Sequence, residues 1–271
     1  MTAATATPRS TTDGRHSQSL ERGLAILSSF TASQSLLGIS ELARMLGLNR
    51  STTHRYVATL VALGYLEQDA ASRRYRLGPR VVDLGFSALN SMEVREISLP
   101  HLQQLSDDTG HTVNMAILDG ADIVYVERCR SSRHGRREID LNLHVGSRLP
   151  AYCTSMGKVL LAFLPEERLA SVLDGMKLTK RGPNTLTSRA GLRAELAQVR
   201  ATGLAVNNEE LAYGLRSVAV PVRGRAGEVE AAVNLAVHRS WISMEDLVDQ
   251  YASALRRTAA AIAARAGHRP A

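Results

Sequence analysis

The densest cluster of groups able to make directional contacts lies in NRSTTHRYVATLVAL, which starts at Asn49. A helix from about Arg50 to Leu63, capped by the Asn49 side chain, would turn Thr53, Val57, Leu60 and Leu63 inward at about 100° per residue. Arg50 opens that helix, and Ser51, Thr52, His54 and Arg55 fall away from the stripe, leaving hydroxyls, an imidazole and guanidinium groups on an outer face. Such groups match the donors and acceptors on base edges, and a helix N-terminus favours phosphate. The chemistry is recognition of a polyanion rather than bond making.

The elements needed to position that helix flank it. Upstream, ISELARML reads as a shorter helix with Ser40 as its cap and Leu42, Ala43 and Leu46 on one face. Small Ala43 lets a second helix cross closely, and Gly47 frees the backbone for the turn. Ser19 to Ser29 supplies a third helix through Leu20, Leu24 and Leu27. Downstream, Tyr65 to Gln68 and Arg74 to Leu77 form a hairpin around Asp69-Ala-Ala-Ser-Arg, with Arg73, Arg74 and Arg76 as cations on the wing. A three-helix packing unit with a solvated charged face is the alternative. Cap, small residue, turn glycine and basic wing together favour a winged helix-turn-helix.

A second constellation lies in the later part of the chain. In RSVAVPVRGRAGEVEAAVNLAVHR, Val218, Val220 and Val222 alternate with small residues, and so do Val229, Ala231, Val233, Leu235 and Val237. In a hairpin whose valine faces coincide, Ser217, Ala219, Ala232, Asn234 and Ala236 share the other face. That small, polar face suits a ligand floor or the underside of a closely packed helix, and the pattern leaves both open. GSRLPAYCTSMGKVLLAFLP leads through Pro150 into an apolar helix starting near Thr154-Ser155, whose N–H groups at Ser155, Met156 and Gly157 could receive an anion.

No catalytic set can be assembled. Ser155 sits in Thr-Ser-Met-Gly, not in a G-x-S-x-G elbow, and none of the eight histidines has H-E-x-x-H spacing. Cys129 and Cys153 lack metal-ligand spacing, so no metal site, structural zinc or cofactor is expected and the thiols should be free. An enzyme acting on a small carboxylic acid, tethered to DNA by the first module, is the competing class. It lacks a nucleophile with a base in reach.

At 271 residues the chain can hold two cores, and its net charge of +7 suits a polyanionic partner. Residues 1–90 hold ten arginines against six acids, +4 in a third of the chain against +3 in the remainder. No apolar run reaches the roughly 20 residues of a bilayer helix, so no membrane partner and a cytoplasmic location are expected. The expected organisation is a disordered tail over 1–16, a DNA-binding domain over 17–78, a linker helix over 79–91 and a ligand-binding domain over 92–271. The linker's Val82, Leu84, Phe86 and Leu89 could contact a second copy or pack within one chain.

Between linker and hairpin, Val94 to Thr109 reads as a helix interrupted at Pro100, and Val113 to Ile117 as a strand. Asp119-Gly120 reads as a two-residue turn into a strand from Ile123 to Cys129. An Arg-rich connection then leads to a strand over Ile139 to Val145. Amphipathic helices follow over Glu166 to Asp174 and Ser188 to Thr202, and Ser243 with Asp246 caps the last helix.

From about Ser17 onward the chain resembles the IclR family of bacterial transcriptional regulators. The resemblance is carried by SLERGLAIL, the winged helix, GSRLPAYCTSMGKVLLA, GLAVNNEELAYGLRSVAVPV and AAVNLAVHRSWIS. It implies an α+β protein with an N-terminal winged helix-turn-helix, a linker helix and a GAF-like effector domain with a curved antiparallel sheet and flanking helices. Its implied partners are double-stranded operator DNA, a second or further copies in a homodimer or homotetramer, and a small organic acid. The residues so implied for the acid are Ser155, Met156, Asn207, Ser217, Asn234 and Ala236, with Thr154 at the helix start and Tyr152 beside Met156 against a ring. Relatives often have cysteine at the position of Ser217 and serines at those of Asn234 and Ala236. LHVGSRLPAYCTSMGKVLLA most resembles the branch that responds to protocatechuate, para-hydroxybenzoate or β-ketoadipate.

Overall fold

The computed structural model describes residues 17–31, 33–131 and 142–267. The chain divides into two compact units, Met1–Ala88 and Leu89–Ala271.

In the first unit α1 (Gln18–Ser28), α2 (Ile39–Leu46) and α3 (Arg50–Ala62) precede a two-stranded ribbon of β1 (Leu66–Gln68) and β2 (Tyr75–Leu77). Its core is Ile26, Phe30, Leu37, Leu42, Val57, Leu66 and Tyr75. Gly47 ends α2 in the left-handed region at φ 63°, where a side chain would be strained. Ser40 does not cap α2. The N-cap is Gly38, whose N–H donates 2.7 Å to Glu41 Oε2, half of a capping box. Leu63 also departs from the expected inward stripe: α3 ends one residue before it, and it is 53% exposed.

Between the ribbon and the second unit's sheet run α4 (Arg80–Asn90), none of whose residues is buried, and α5 (Glu93–Thr109). α5 passes straight through Pro100, so the expected interruption is absent. The sheet has six antiparallel strands in the order β5-β4-β3-β8-β7-β6. These are β3 (Thr112–Asp119), β4 (Asp122–Cys129), β5 (Arg148–Pro150), β6 (Ala205–Asn208), β7 (Leu215–Arg223) and β8 (Val229–His238). Asp119 pairs with Asp122, so the β3–β4 turn is Gly120-Ala121, one residue later than read. The edge strand is Arg148–Pro150, and Asn142–Val145 carries no strand; Ile139 to Leu141 lies outside the described residues.

Ser217 pairs with Ala236 and Val218 with Leu235, so the two valine faces of the long hairpin do coincide. That face packs with α5 and with α9 (Met244–Arg265) through Leu102, Leu105, Leu247, Leu255 and Ile262. The opposite face carries α6 (Ser155–Ala162), every residue of which is buried, and beyond it α7 (Glu166–Gly175) and α8 (Arg189–Thr202). Ala219 and Ala232 belong to the core under α6. Their lack of bulk lets a helix lie close to the strands. The α+β architecture inferred from the sequence is therefore present, with a core on each side of one sheet.

Candidate nucleic-acid interface and ligand cavity

On α3 the Asn49 side chain accepts from the Thr52 N–H at 2.7 Å and from the Ser51 hydroxyl at 2.9 Å. The cap therefore occupies the Ser51 hydroxyl. Arg50, Ser51, His54 and Arg55 are exposed and Thr52 is half-buried, while Thr53 and Val57 are fully buried. Ile39, Arg50, Ser51 and His54 line a shallow depression where α2 meets α3. On the ribbon the three arginines are not equivalent. Arg74 forms an ion pair with Glu41, and Arg76 Nη2 lies 2.9 Å from Glu67, whereas Arg73 is exposed at the tip with φ 58°.

The second unit holds a small cavity between the α6 start and the sheet, of about 30 Å³, well below the roughly 300–1,000 Å³ of small-molecule sites. It has room for water but not for a ring without movement of the walls. Of the residues inferred from sequence and resemblance, Thr154, Asn207, Ser217, Asn234 and Ala236 line it together. Ser155 joins them indirectly, its Oγ lying 2.7 Å from Ser217 Oγ and accepting from Asn234 Nδ2 at 3.4 Å. Tyr152 and Met156 do not line it. A 3-10 turn at Ala151–Cys153 directs Tyr152 into the core, where its hydroxyl donates 2.7 Å to the Thr179 carbonyl, and Met156, on α6, is fully buried in the same core.

Sequence reasoning missed Thr112, Asn114, Tyr125, Arg128, Leu143, Leu211 and Leu215, which complete the lining. Arg128 Nη1 donates 3.1 Å to Asn114 Oδ1, and Asn114 Nδ2 donates 2.8 Å to Asn234 Oδ1. A polar track therefore crosses β4, β3 and β8 to the start of α6. Asn114 was detectable as a polar residue on the β3 face that it shares with Thr112 and Ala116. Arg128 was hidden among arginines, and only its pairing opposite Asn114 singles it out. Burial pushes the Tyr125 hydroxyl up to about 12, so it is a neutral phenol at physiological pH. The same cause raises the thiols of Cys129 and Cys153 to about 12, which keeps them protonated and unreactive.

The two halves match two family models in chain order: the IclR helix-turn-helix domain over residues 19–70 and the bacterial transcriptional regulator IclR C-terminal domain over 86–264. The chain belongs to the IclR family. Among its relatives, the HTH-type transcriptional regulator XynR of Escherichia coli (strain K12) is 37% identical over 86% of this chain and 90% of that protein. The Pca regulon regulatory protein of Pseudomonas putida is 38% identical over 86% and 78% respectively. In structure, this IclR-family chain is similar to a transcriptional regulator of Rhodococcus sp. RHA1, with 40% identity and a TM-score of 0.78 over 92% of this chain and 98% of that one. It is also similar to an IclR homolog of Microbacterium hydrocarbonoxydans complexed with 4-hydroxybenzoate, at 27% identity and a TM-score of 0.78, again over 92% and 98%. The IclR-family protein described here is a DNA-binding transcriptional regulator with an effector-binding domain, and not an enzyme. Among the described residues no helix is long and apolar enough to cross a membrane.

Proposed function

We propose that this regulator responds to a small organic acid of aromatic catabolism, of the protocatechuate, para-hydroxybenzoate or β-ketoadipate type, held in the cavity between α6 and the sheet. The observation that carries this reading is the lining itself: amides and hydroxyls in a bonded track, one guanidinium, and leucines over the remainder. The likeness to a 4-hydroxybenzoate complex and to a Pca regulon protein supports the same class. Leu143, Leu211 and Leu215 are the side chains whose movement would admit a ring.

In this reading residues 17–78 bind the operator, with Arg50, Thr52, His54 and Arg55 in the major groove and the wing on phosphates, 79–91 link, and 92–271 bind the acid. A single helix reads only a few base pairs, so the protein acts as a dimer or larger homo-oligomer, with the exposed Val82, Leu84 and Phe86 of α4 as its contact. A thermal-shift screen of catabolic acids tests the effector class, since a ligand at 100 times its Kd stabilises by about 2.7 kcal/mol. Acids that stabilise the protein should also change its operator affinity. Stabilisation by sugars or amines, and by none of the acids, would overturn the reading.

A further inference from the structure

We infer that Tyr125 determines the specificity of this cavity: its hydroxyl bonds the effector and, with the Asn207 amide, selects ligands with hydrogen-bonding groups at two ends over ligands with one. This rests on the reading of the cavity as the effector site and adds a residue and a rule of selection.

A break in the regularity of β4 brings Tyr125 to the cavity. Met115 pairs with Glu127 but Ala116 pairs with Tyr125, so Val126 is an extra residue, a β-bulge. In a regular strand, residues three apart point to opposite faces. Here Tyr125 and Arg128 both line the cavity, while Val126 and Cys129 both lie in the core on the α5 and α9 side. The bulge turns one end of β4 over relative to the other, which hides Tyr125 from any reading by alternation. Bulges recur where a strand re-aims a side chain at a site.

Most polar side chains of the lining are bonded within the protein. Thr154 Oγ1 accepts from the Gly157 N–H at 3.1 Å, Ser217 bonds Ser155, and Asn234, Asn114 and Arg128 form the track across β8, β3 and β4. Thr112 has a partner as well. Two groups stand apart. Asn207, 1% exposed, accepts the Glu210 N–H on its carbonyl oxygen, and among the described residues its amide nitrogen has no hydrogen-bond partner. Tyr125 is 4% exposed, and its hydroxyl has none either. Neither atom is sealed from the cavity. A polar group withdrawn from bulk water without a protein partner is costly, and native chains carry one mainly where a ligand or water meets it.

Asn207 stands on β6 and Tyr125 on β4, with β7, β8 and β3 between them in the sheet. At about 4.8 Å per strand, a ligand that meets both presents two separate groups. The Asn207 nitrogen only donates, so one group is an acceptor; a neutral phenol donates or accepts, so the other is of either kind. A ligand with one polar end leaves one of the two protein groups unmet, and sites built to bond a hydroxyl reject analogues that lack it.

Isothermal titration of the full-length protein with two matched pairs tests this: 4-hydroxybenzoate against benzoate, and 4-hydroxybutanoate against butanoate. Wild type should bind the two-ended acid at least about tenfold tighter in whichever pair binds. Tyr125→Phe removes one oxygen and keeps the ring. It should weaken the two-ended acid about tenfold and the one-ended acid much less, because the latter can turn to Asn207, so the ratio narrows. Without ligand its melting temperature should stay level or rise, since no bond within the protein is lost. A structural hydroxyl would do the reverse, lowering the melting temperature and leaving affinity unchanged. A phenylalanine variant that binds the two-ended acid as tightly as wild type overturns this inference alone. So does a wild type that binds both members of a pair equally, whether or not the variant folds. Selection in the aliphatic pair only would keep the inference and remove the aromatic reading. Binding by none of the four would remove both.

Discussion

Ser155 and Ser217 are 62 residues apart in the chain, and their hydroxyl oxygens lie 2.7 Å apart, both buried. This bond joins the first residue of α6 to β7, the first strand of the long hairpin, so the helix start and the strand floor form one wall. Ser217→Ala should cost about 0.5–1.5 kcal/mol through the lost bond, with little change in fold. Ser217→Leu should fill the cavity, cost about 1–3 kcal/mol by overpacking and abolish the response to acid while operator binding survives. Melting curves and gel shifts with and without acid check this. A leucine variant that still releases or engages the operator with acid would remove Ser217 from the site.

The arginines of the DNA-binding unit should behave differently from one another. Arg55, exposed on α3, should lose about 1–3 kcal/mol of operator binding as Arg55→Ala, concentrated at one base position. Arg73→Ala should weaken operator and scrambled DNA alike and reduce the salt slope by about 1. Arg74→Ala should also disturb the wing, because Arg74 pairs with Glu41 in the α2 capping box. Titrations at several salt concentrations separate the three, and an Arg55 variant with wild-type affinity would take α3's outer face out of the groove.

Burial raises the Glu210 carboxyl above its ordinary value of 4.5, against the pull of Lys158. The folded state then keeps a proton that the unfolded chain has lost. Stability from this group is fully present below about 4.5 and is lost as pH rises through the raised folded value. Glu41 and Glu209, both lowered by hydrogen bonds and arginines, act in the opposite direction as pH falls. Comparing wild type with Glu210→Gln across pH 4–8 isolates the first effect. The melting temperature of wild type relative to the glutamine variant should decline as pH rises above the ordinary carboxylate value. A flat difference would mean that burial does not perturb Glu210.

Assembly should depend on α4. Val82, Leu84 and Phe86 are 55%, 56% and 59% exposed, an apolar set that a lone helix in water does not favour. Phe86→Glu should shift the protein towards monomer in sedimentation at micromolar concentration and weaken operator binding while the effector cavity still binds. Wild type sedimenting as a monomer, free and on DNA, would count against a dimer altogether.

Much of the first unit was legible because its signals are local. Asn49 caps α3, Gly47 turns the chain, and Thr53 and Val57 face inward at helical spacing, each fixed by neighbours a few residues away. The alternation of the long hairpin was equally local, and it placed Ser217 and Asn234 on one face before any strand was paired. Register and helix placement decided the rest. On that one face Ala219 and Ala232 went under α6, while Ser217, Asn234 and Ala236 were left to the cavity, a division no spacing could reveal. Tyr152 and Met156 read as pocket residues from the same segment, yet the turn before α6 sent them into the core. Arg128 acquired its place only when β4 paired with β3 and set it opposite Asn114. A chain's own period determines which way a side chain points within its element, but what it meets there depends on contacts with residues tens of positions away, and those exist only once the sheet and its helix have closed on each other.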